Sequence, residues 1–247
     1  MDDNLQCIIM AGGLGKRMSS NKAKVLHHIQ GKPMIYYVLN NAFSVGVSRV
    51  FLVVGKYKND IENELSSLFS KEQFQKIVFV VQPESMVNGE LCSLGTGDAI
   101  RSCLTYFEDY KLSPKTNILI LSGDVPFIIQ EQLLLFTKMP NSIMVSNVEN
   151  PTHYGRVFYN EQQYLTDIVE HSICDEEQLL CKTVNAGIYN LTVSTLNETI
   201  PNIEMNQRKK EFFLTDFYKH TTKNIFCFFL PDVPKNINTL KELEEFN

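Results

Sequence analysis

The residues best suited to chemistry are cations and carboxylates set among glycines. Ala11-Gly12-Gly13-Leu14-Gly15-Lys16-Arg17-Met18 follows directly on an apolar run, Leu5–Met10. Glycines let a backbone come close to phosphate oxygens and turn successive N–H groups toward them. Lys16 adds a mobile positive charge and Arg17 a bidentate one. Taken alone, the same residues also suit a tight turn with two solvated cations. The loop is not a P-loop, because G-x-x-x-x-G-K-[ST] would put Gly at Met10 and Ser or Thr at Arg17. A Rossmann fingerprint from Gly13 would need a small residue at Met18. Lys24 runs straight into apolar Val25-Leu26, which would hold its stem near the carboxyl end of a sheet, where ligands sit in open α/β folds. Asp124, in Ser122-Gly123-Asp124-Val125-Pro126, follows another apolar run. A carboxylate so placed suits Mg²⁺ on a phosphate, and equally a turn or helix cap.

Other chemistries find little support. The six cysteines form no C-x-x-C pair and the five histidines no H-E-x-x-H, which argues against a zinc site. With 44 % hydrophobic residues in 247, the core needs no disulfide framework. The 23 Lys+Arg against 28 Asp+Glu give net −5, unlike a protein that coats nucleic acid. No apolar run approaches the ~20 residues of a membrane span. The first apolar run ends in glycines and lacks a basic flank, so it reads as a buried strand and not as a signal peptide. The expected compartment is the reducing cytoplasm.

Positioning these groups requires a scaffold, and the hydrophobic pattern supplies one. Short β-rich runs over 5–10, 49–54, 77–81, 117–121 and 142–148 read as strands buried on both faces. Helix-length segments over 33–43, 60–69, 96–107 and 130–138 lie between them, the first with Pro33 at its opening turn. This alternation predicts an α/β fold with a doubly wound, mostly parallel mixed sheet. After residue 150 the rhythm changes. A hairpin over 154–159 and 164–171 turns around Asn160, followed by a strand over 184–191 and a helix from 194. A helix over 212–222, a strand over 225–229 and a terminal helix over 238–246 complete the chain. These later elements form a wall beside the nucleotide half, giving one unit with two lobes.

The motifs in their order resemble the sugar-nucleotide pyrophosphorylases, nucleotidyltransferases of glycosyltransferase-A type fold. The resemblance is strongest to the uridylyltransferase half of the bacterial bifunctional N-acetylglucosamine-1-phosphate uridyltransferases, and spans roughly residues 5 to 243. It rests on the glycine loop, Lys24-Val25-Leu26-His27, Leu94-Gly95-Thr96-Gly97, Gly123-Asp124-Val125-Pro126 and Pro151-Thr152-His153-Tyr154-Gly155-Arg156. Ile168-Val169-Glu170-His171, Val184-Asn185-Ala186-Gly187 and Phe213-Leu214-Thr215-Asp216 extend it.

The resemblance implies roles position by position. Ala11, Gly12 and Gly13 meet the nucleotide, Gly15 opens the phosphate turn, and Lys16 adds charge there. Arg17 contacts the triphosphate and the leaving pyrophosphate. Lys24 bridges the sugar phosphate and the α-phosphate. Gln82 reads the uracil edge with Gly95 and Thr96. Asp124 and Asn238 hold Mg²⁺, with Asn236 as the substitute for Asn238. Gly155, Glu170, Asn185 and Thr215 line the sugar, while His153 and His171 take no chemical role. The expected lobes are about 1–125 for nucleotide and 126–235 for sugar, with a metal-binding loop and helix over 236–247.

The expected reaction joins UTP and N-acetylglucosamine 1-phosphate, releasing pyrophosphate and UDP-N-acetylglucosamine. Neither nucleic acid nor membrane enters it. Glucose 1-phosphate, CTP or dTTP as substrates, or a non-catalytic nucleotide-sugar sensor, stand as alternatives. Three departures from the family pattern bear on this. The stretch 83–93 is longer than usual, Phe213 stands where Tyr is common, and Ser122 replaces a frequent aromatic. No hexapeptide repeat follows Asn238. The expectation is therefore a chain without the acetyltransferase β-helix domain, with a separate acetyltransferase elsewhere in the pathway.

Overall fold

The structure, a computed structural model, describes residues 5–13, 15, 18, 22–87 and 89–246. Thirteen strands occur among the described residues. They are β1 (Leu5–Met10), β2 (His28–Ile29), β3 (Lys32–Pro33), β4 (Val50–Val54), β5 (Ile77–Val81), β6 (Glu84–Val87) and β7 (Glu90–Ser93), then β8 (Asn117–Ser122), β9 (Ser142–Asn147), β10 (Arg156–Tyr159), β11 (Leu165–Val169), β12 (Thr183–Thr192) and β13 (Phe226–Leu230). The helices are α1 (Met34–Ser44), α2 (Lys58–Leu68), α3 (Lys71–Gln75), α4 (Thr96–Arg101), α5 (Leu104–Asp109), α6 (Gln130–Phe136), α7 (Glu176–Leu179), α8 (Val193–Thr199) and α9 (Leu240–Glu244).

The main sheet runs β11-β10-β12-β8-β1-β4-β5, with β9 on β12 and β13 on β9. β8, β1, β4 and β5 are mutually parallel. β12 enters antiparallel to β8 and turns the sheet from its parallel half to the later strands. Alternating side chains sort the core onto two faces. Cys7, Ile9, Leu52, Leu119 and Leu121 meet α1, α2 and α6 through Ile35, Leu39, Ile61 and Phe136. Ile8, Phe51, Val53, Ile118 and Ile120 meet Ile100 of α4, Phe107 of α5 and Leu196 of α8. Helices on both faces make the sheet doubly wound, as the strand–helix alternation predicts.

The structure corrects several expected elements. The helix expected over 96–107 is two helices. Ser102 Oγ and Cys103 Sγ both turn back to carbonyls four residues earlier, Asp98 and Ala99. The Cys103 N–H meanwhile bonds three residues back, to Ile100. Such back-bonding competes with the helical ladder and bends it. The segment expected as α-helix over 212–222 is a 3-10 helix, Leu214–His220. It begins late because Phe212 spends its backbone groups on the loop at 94–97, its N–H on Leu94 and its carbonyl on the Gly97 N–H. The long stretch 83–93 is a β-hairpin, β6 with β7, in register Glu84 to Ser93. The sequence between the two strands reads Asn88-Gly89, a short-range hairpin signal, and Gly89 sits at φ +83°. Pro33 caps α1 from outside instead of opening it. The hairpin around Asn160 does form, and Asn160 Oδ1 accepts from the N–H groups of Gln162 and Tyr164.

Candidate active site

The parallel strands end along one edge, and their main chains continue into the site. The Ala11 N–H bonds the Val53 carbonyl, the Gln82 N–H the Val54 carbonyl, and the Gly123 N–H the Met10 carbonyl. The segments after β1, β5 and β8 are thus held side by side at the carboxyl edge, where open α/β sheets bind ligands. A cleft of about 450 Å³ opens there. Ala11, Gly12, Gly13 and Gly15 line one side, and Gln82, Gly95 and Thr96 another. Lys24, Asp124 and Asn238 line it as well, joined to one another through the Lys24 ammonium. Lys16 and Arg17 lie outside the described residues.

Two glycines in this cleft are required by their surroundings. Gly15 has φ +61°, and a Cβ there would stand 2.9 Å from the Lys24 Cβ. Gly95 has φ +93°, and a Cβ there would stand 2.7 Å from the Phe212 carbonyl oxygen. Both combine a left-handed backbone with a close approach that a side chain would block.

Lys24 opens a single 3-10 turn anchored by buried Val25 and Leu26. Its ammonium donates to Asp124 Oδ2 and to Asn238 Oδ1, the latter at 2.8 Å. Ser122 Oγ donates to the other Asp124 oxygen at 2.7 Å. Sequence reasoning saw Ser122 only as a departure from the family, whereas its hydroxyl orients the carboxylate. The C-terminal loop reaches the site through three anchors. Ile237 is fully buried, and its N–H bonds the Asp124 carbonyl at 2.9 Å. Thr239 and Glu242 form a capping box on α9, and the same Glu242 carboxylate accepts from the Asn238 N–H.

The oxygens of Asp124 and Asn238 therefore converge on one cationic nitrogen. Hard oxygen donors from one carboxylate and one amide, with room for phosphate oxygens, fit Mg²⁺, which takes few protein ligands in phosphate sites. Among the described residues, no group of three or more His, Cys, Asp and Glu is gathered for a metal. Asn236 lines the neighbouring cavity and is not at this cation.

That neighbouring cavity measures about 250 Å³ and shares Met10, Thr96, Ser122, Asp124 and Glu170 with the cleft. Gly155, Glu170, Asn185 and Thr215 line it together. Arg156 is 2 % exposed and donates to the Pro151 and Tyr154 carbonyls, which stiffens the loop that presents Gly155. The Gly155 carbonyl in turn accepts from the Asn185 N–H at 2.9 Å. A register shift in β12 after Asn185 leaves that side chain beside the cavity, with its Nδ2 on the Tyr189 hydroxyl at 2.6 Å. Thr215 Oγ1 donates to Glu170 Oε1 at 2.9 Å. Burial pushes the Glu170 carboxyl above its ordinary value. The Thr215 hydrogen bond pulls it back, and the charges of Asp216 and Glu211 push it up again.

His153 lines this cavity and packs edge-on against His171. Phe213 lines the larger cleft. Sequence reasoning also missed Glu211, which lines the larger cleft and whose carboxyl burial pushes up. It missed Asp98 as well, which bonds Gln82 from the first turn of α4. An acidic residue directly after Leu94-Gly95-Thr96-Gly97, in the first turn of the expected helix, was the available signal for Asp98. Glu211 left none apart from its place next to the Phe-Leu-Thr-Asp motif.

Comparison with known proteins bears on these arrangements. A probable UDP-N-acetylglucosamine pyrophosphorylase of Acanthamoeba polyphaga mimivirus is 34 % identical, over 97 % of this chain and 94 % of its own length. The bifunctional protein GlmU of Acaryochloris marina is 32 % identical over 84 % of this chain and 43 % of its own. The chain thus spans less than half the length of such bifunctional relatives. A UDP-glucose pyrophosphorylase solved with UDP-glucose shares the fold at TM-score 0.73, with 19 % identity, 97 % of this chain and 96 % of that one covered. The nucleotidyl transferase family model matches residues 6–226, and the chain belongs to that family.

Proposed function

We propose that this protein transfers the uridylyl group of UTP to N-acetylglucosamine 1-phosphate, giving UDP-N-acetylglucosamine and pyrophosphate with Mg²⁺ as cofactor. The observation that carries the reading is the junction of two cavities at Asp124. One is lined by glycines and a lysine, suited to a nucleotide, and the other by Glu170, Thr215 and Asn185, suited to a hydroxylated sugar. The choice of sugar and base is supported by the name of the mimivirus relative.

The nucleophile in this reading is an oxygen of the sugar phosphate. With a second phosphate pKa near ~6 it is largely dianionic at neutral pH and needs no general base. The chain's task is to bring two anions together in line and to stabilise charge on the leaving group. Lys24 is assigned to screening the approach. Arg17 is assigned to the departing pyrophosphate. Asp124 and Asn238 would hold Mg²⁺, which when bound supplies charge neutralisation on the phosphates. Glu170, Thr215 and Asn185 orient the sugar through fixed hydrogen bonds, and a sugar lacking the matching group leaves them unpaired.

The test is pyrophosphate release measured for four nucleoside triphosphates against several sugar 1-phosphates. Release with UTP and N-acetylglucosamine 1-phosphate, dependent on Mg²⁺, is the expected result. Release with glucose 1-phosphate and none with N-acetylglucosamine 1-phosphate would overturn the sugar assignment. Binding of a UDP-sugar with no turnover would replace the enzyme by a sensor.

A further inference from the structure

Gln82 is 4 % exposed and Asp98 8 %. Gln82 Nε2 donates to the Gly95 carbonyl at 3.0 Å and to Asp98 Oδ2 at 3.0 Å. A side-chain amide nitrogen carries two N–H donors, so both are used. Turning the amide over would set its oxygen against two acceptors, and each buried mismatch is costly. The partners therefore dictate the orientation. Oε1 is the remaining polar atom of a side chain that lines the nucleotide cleft, and it stands 3.2 Å from where a Cβ on Gly12 would be. Asp98 is itself held. Its Oδ1 lies 3.9 Å from Arg101, whose guanidinium donates to the Ile200 and Ile203 carbonyls and stacks on Phe212 at 4.2 Å.

We propose that Asp98 is a positioning residue that sets the base selectivity of the cleft. By holding one N–H of Gln82 while the Gly95 carbonyl holds the other, it leaves an acceptor alone to face the base. An acceptor selects a pyrimidine with a ring imide N–H, as uracil and thymine have. It opposes cytosine, whose ring nitrogen at that position is itself an acceptor. The inference rests on the reading of Gln82 at the base edge.

The test is equilibrium binding of UTP and CTP by calorimetry, with Mg²⁺ and without sugar phosphate. The wild-type protein is expected to prefer UTP by about tenfold or more. Asp98→Ala frees one N–H and lets the amide turn, so the preference falls to within about threefold. Asp98→Asn keeps an acceptor oxygen and restores it. In a Gln82→Ala background, Asp98→Ala changes the ratio no further. With substrate present, the loss in Asp98→Ala falls on KM for UTP more than on kcat. Thermal unfolding checks the fold, and Asp98→Ser, too short to reach Nε2, takes the place of an alanine variant that does not fold. An unchanged ratio in folded Asp98→Ala or Asp98→Ser, with Gln82→Ala abolishing the preference, overturns the positioning role and leaves the base-edge reading standing. An unchanged ratio in Gln82→Ala overturns both. Failure of the wild-type protein to bind UTP overturns the uridylyl-transfer proposal itself.

Discussion

Lys24 and Asn238 stand 214 positions apart in the chain, yet the Lys24 ammonium lies 2.8 Å from the Asn238 side-chain oxygen. The same ammonium bonds Asp124. One cation ties the strand-end carboxylate to the C-terminal loop, and in the proposed reaction an arriving phosphate competes for it. Lys24→Met keeps the stem and removes the charge. Turnover is expected to fall ~10²–10³-fold, the usual cost of one electrostatic stabiliser. Lys24→Arg is expected to restore little, because a planar fork does not replace a point charge. Steady-state kinetics of pyrophosphate release measures both.

Asp124→Ala should abolish pyrophosphate release while circular dichroism stays native. Full turnover in that variant would sink the metal assignment. Ser122→Ala removes the hydroxyl that orients the same carboxylate at 2.7 Å. It is expected to raise the Mg²⁺ concentration needed for half-maximal rate severalfold, read from a metal titration.

Glu170 gives the site a pH signature. Its carboxyl is pushed above the ordinary value of 4.5, chiefly by burial. As pH falls through that raised value the carboxylate is protonated and loses an acceptor. KM for the sugar phosphate is therefore expected to rise from a higher pH than an exposed Glu would produce. The stability effect has the opposite sense. Between 4.5 and the raised value the native state binds a proton that the unfolded chain does not. This group's contribution to stability therefore falls as pH rises through that window. Glu170→Gln should flatten both dependences, measured by pH–rate profiles and thermal unfolding across the same range.

Asn185 and Tyr189 depend on each other. Asn185→Ala leaves the Tyr189 hydroxyl, 3 % exposed, without its donor, at a cost of about 1–3 kcal/mol. Tyr189→Phe keeps the shape and frees the amide. It is expected to raise KM for the sugar phosphate with a smaller loss of stability. Comparing denaturant midpoints with KM separates the two effects.

Gly95→Ala meets a carbonyl oxygen at 2.7 Å and a φ of +93°. A loss of about 1–3 kcal/mol in stability is expected from the backbone alone. A thermal midpoint equal to the native one would show that the loop and Phe212 are not in contact in solution.

The parallel half was legible because its central strands β1, β4 and β8 are short apolar runs buried on both faces, and a local pattern reports that burial directly; the run over 77–81 forms the edge strand β5, only partly buried, with Val81 exposed. The glycine loop and Asp124 could be read because each adjoins such a run, and Lys24 because it runs into the buried pair Val25-Leu26. The break at Ser102 and the 3-10 helix at 214–220 were not legible. Both arise from hydrogen bonds that compete with a helix, and an apolar pattern carries no trace of them. The hairpin over 84–93 was announced by Asn88-Gly89, a signal the periodicity reading passed over.

By itself, the order of residue types determined that a doubly wound sheet would carry a glycine loop, a lysine and a carboxylate at strand ends. These depend on neighbours in the chain, and local chemistry encodes them. Only the tertiary structure decided that Asn238, and not Asn236, reaches the Lys24–Asp124 pair. The same holds for Ser122 orienting Asp124, and for Asp98 holding one N–H of Gln82. Each rests on groups brought within about 3 Å by folding. Hydrogen bonds act only at that range, so which side chains share a site is settled by packing, after the elements themselves are set.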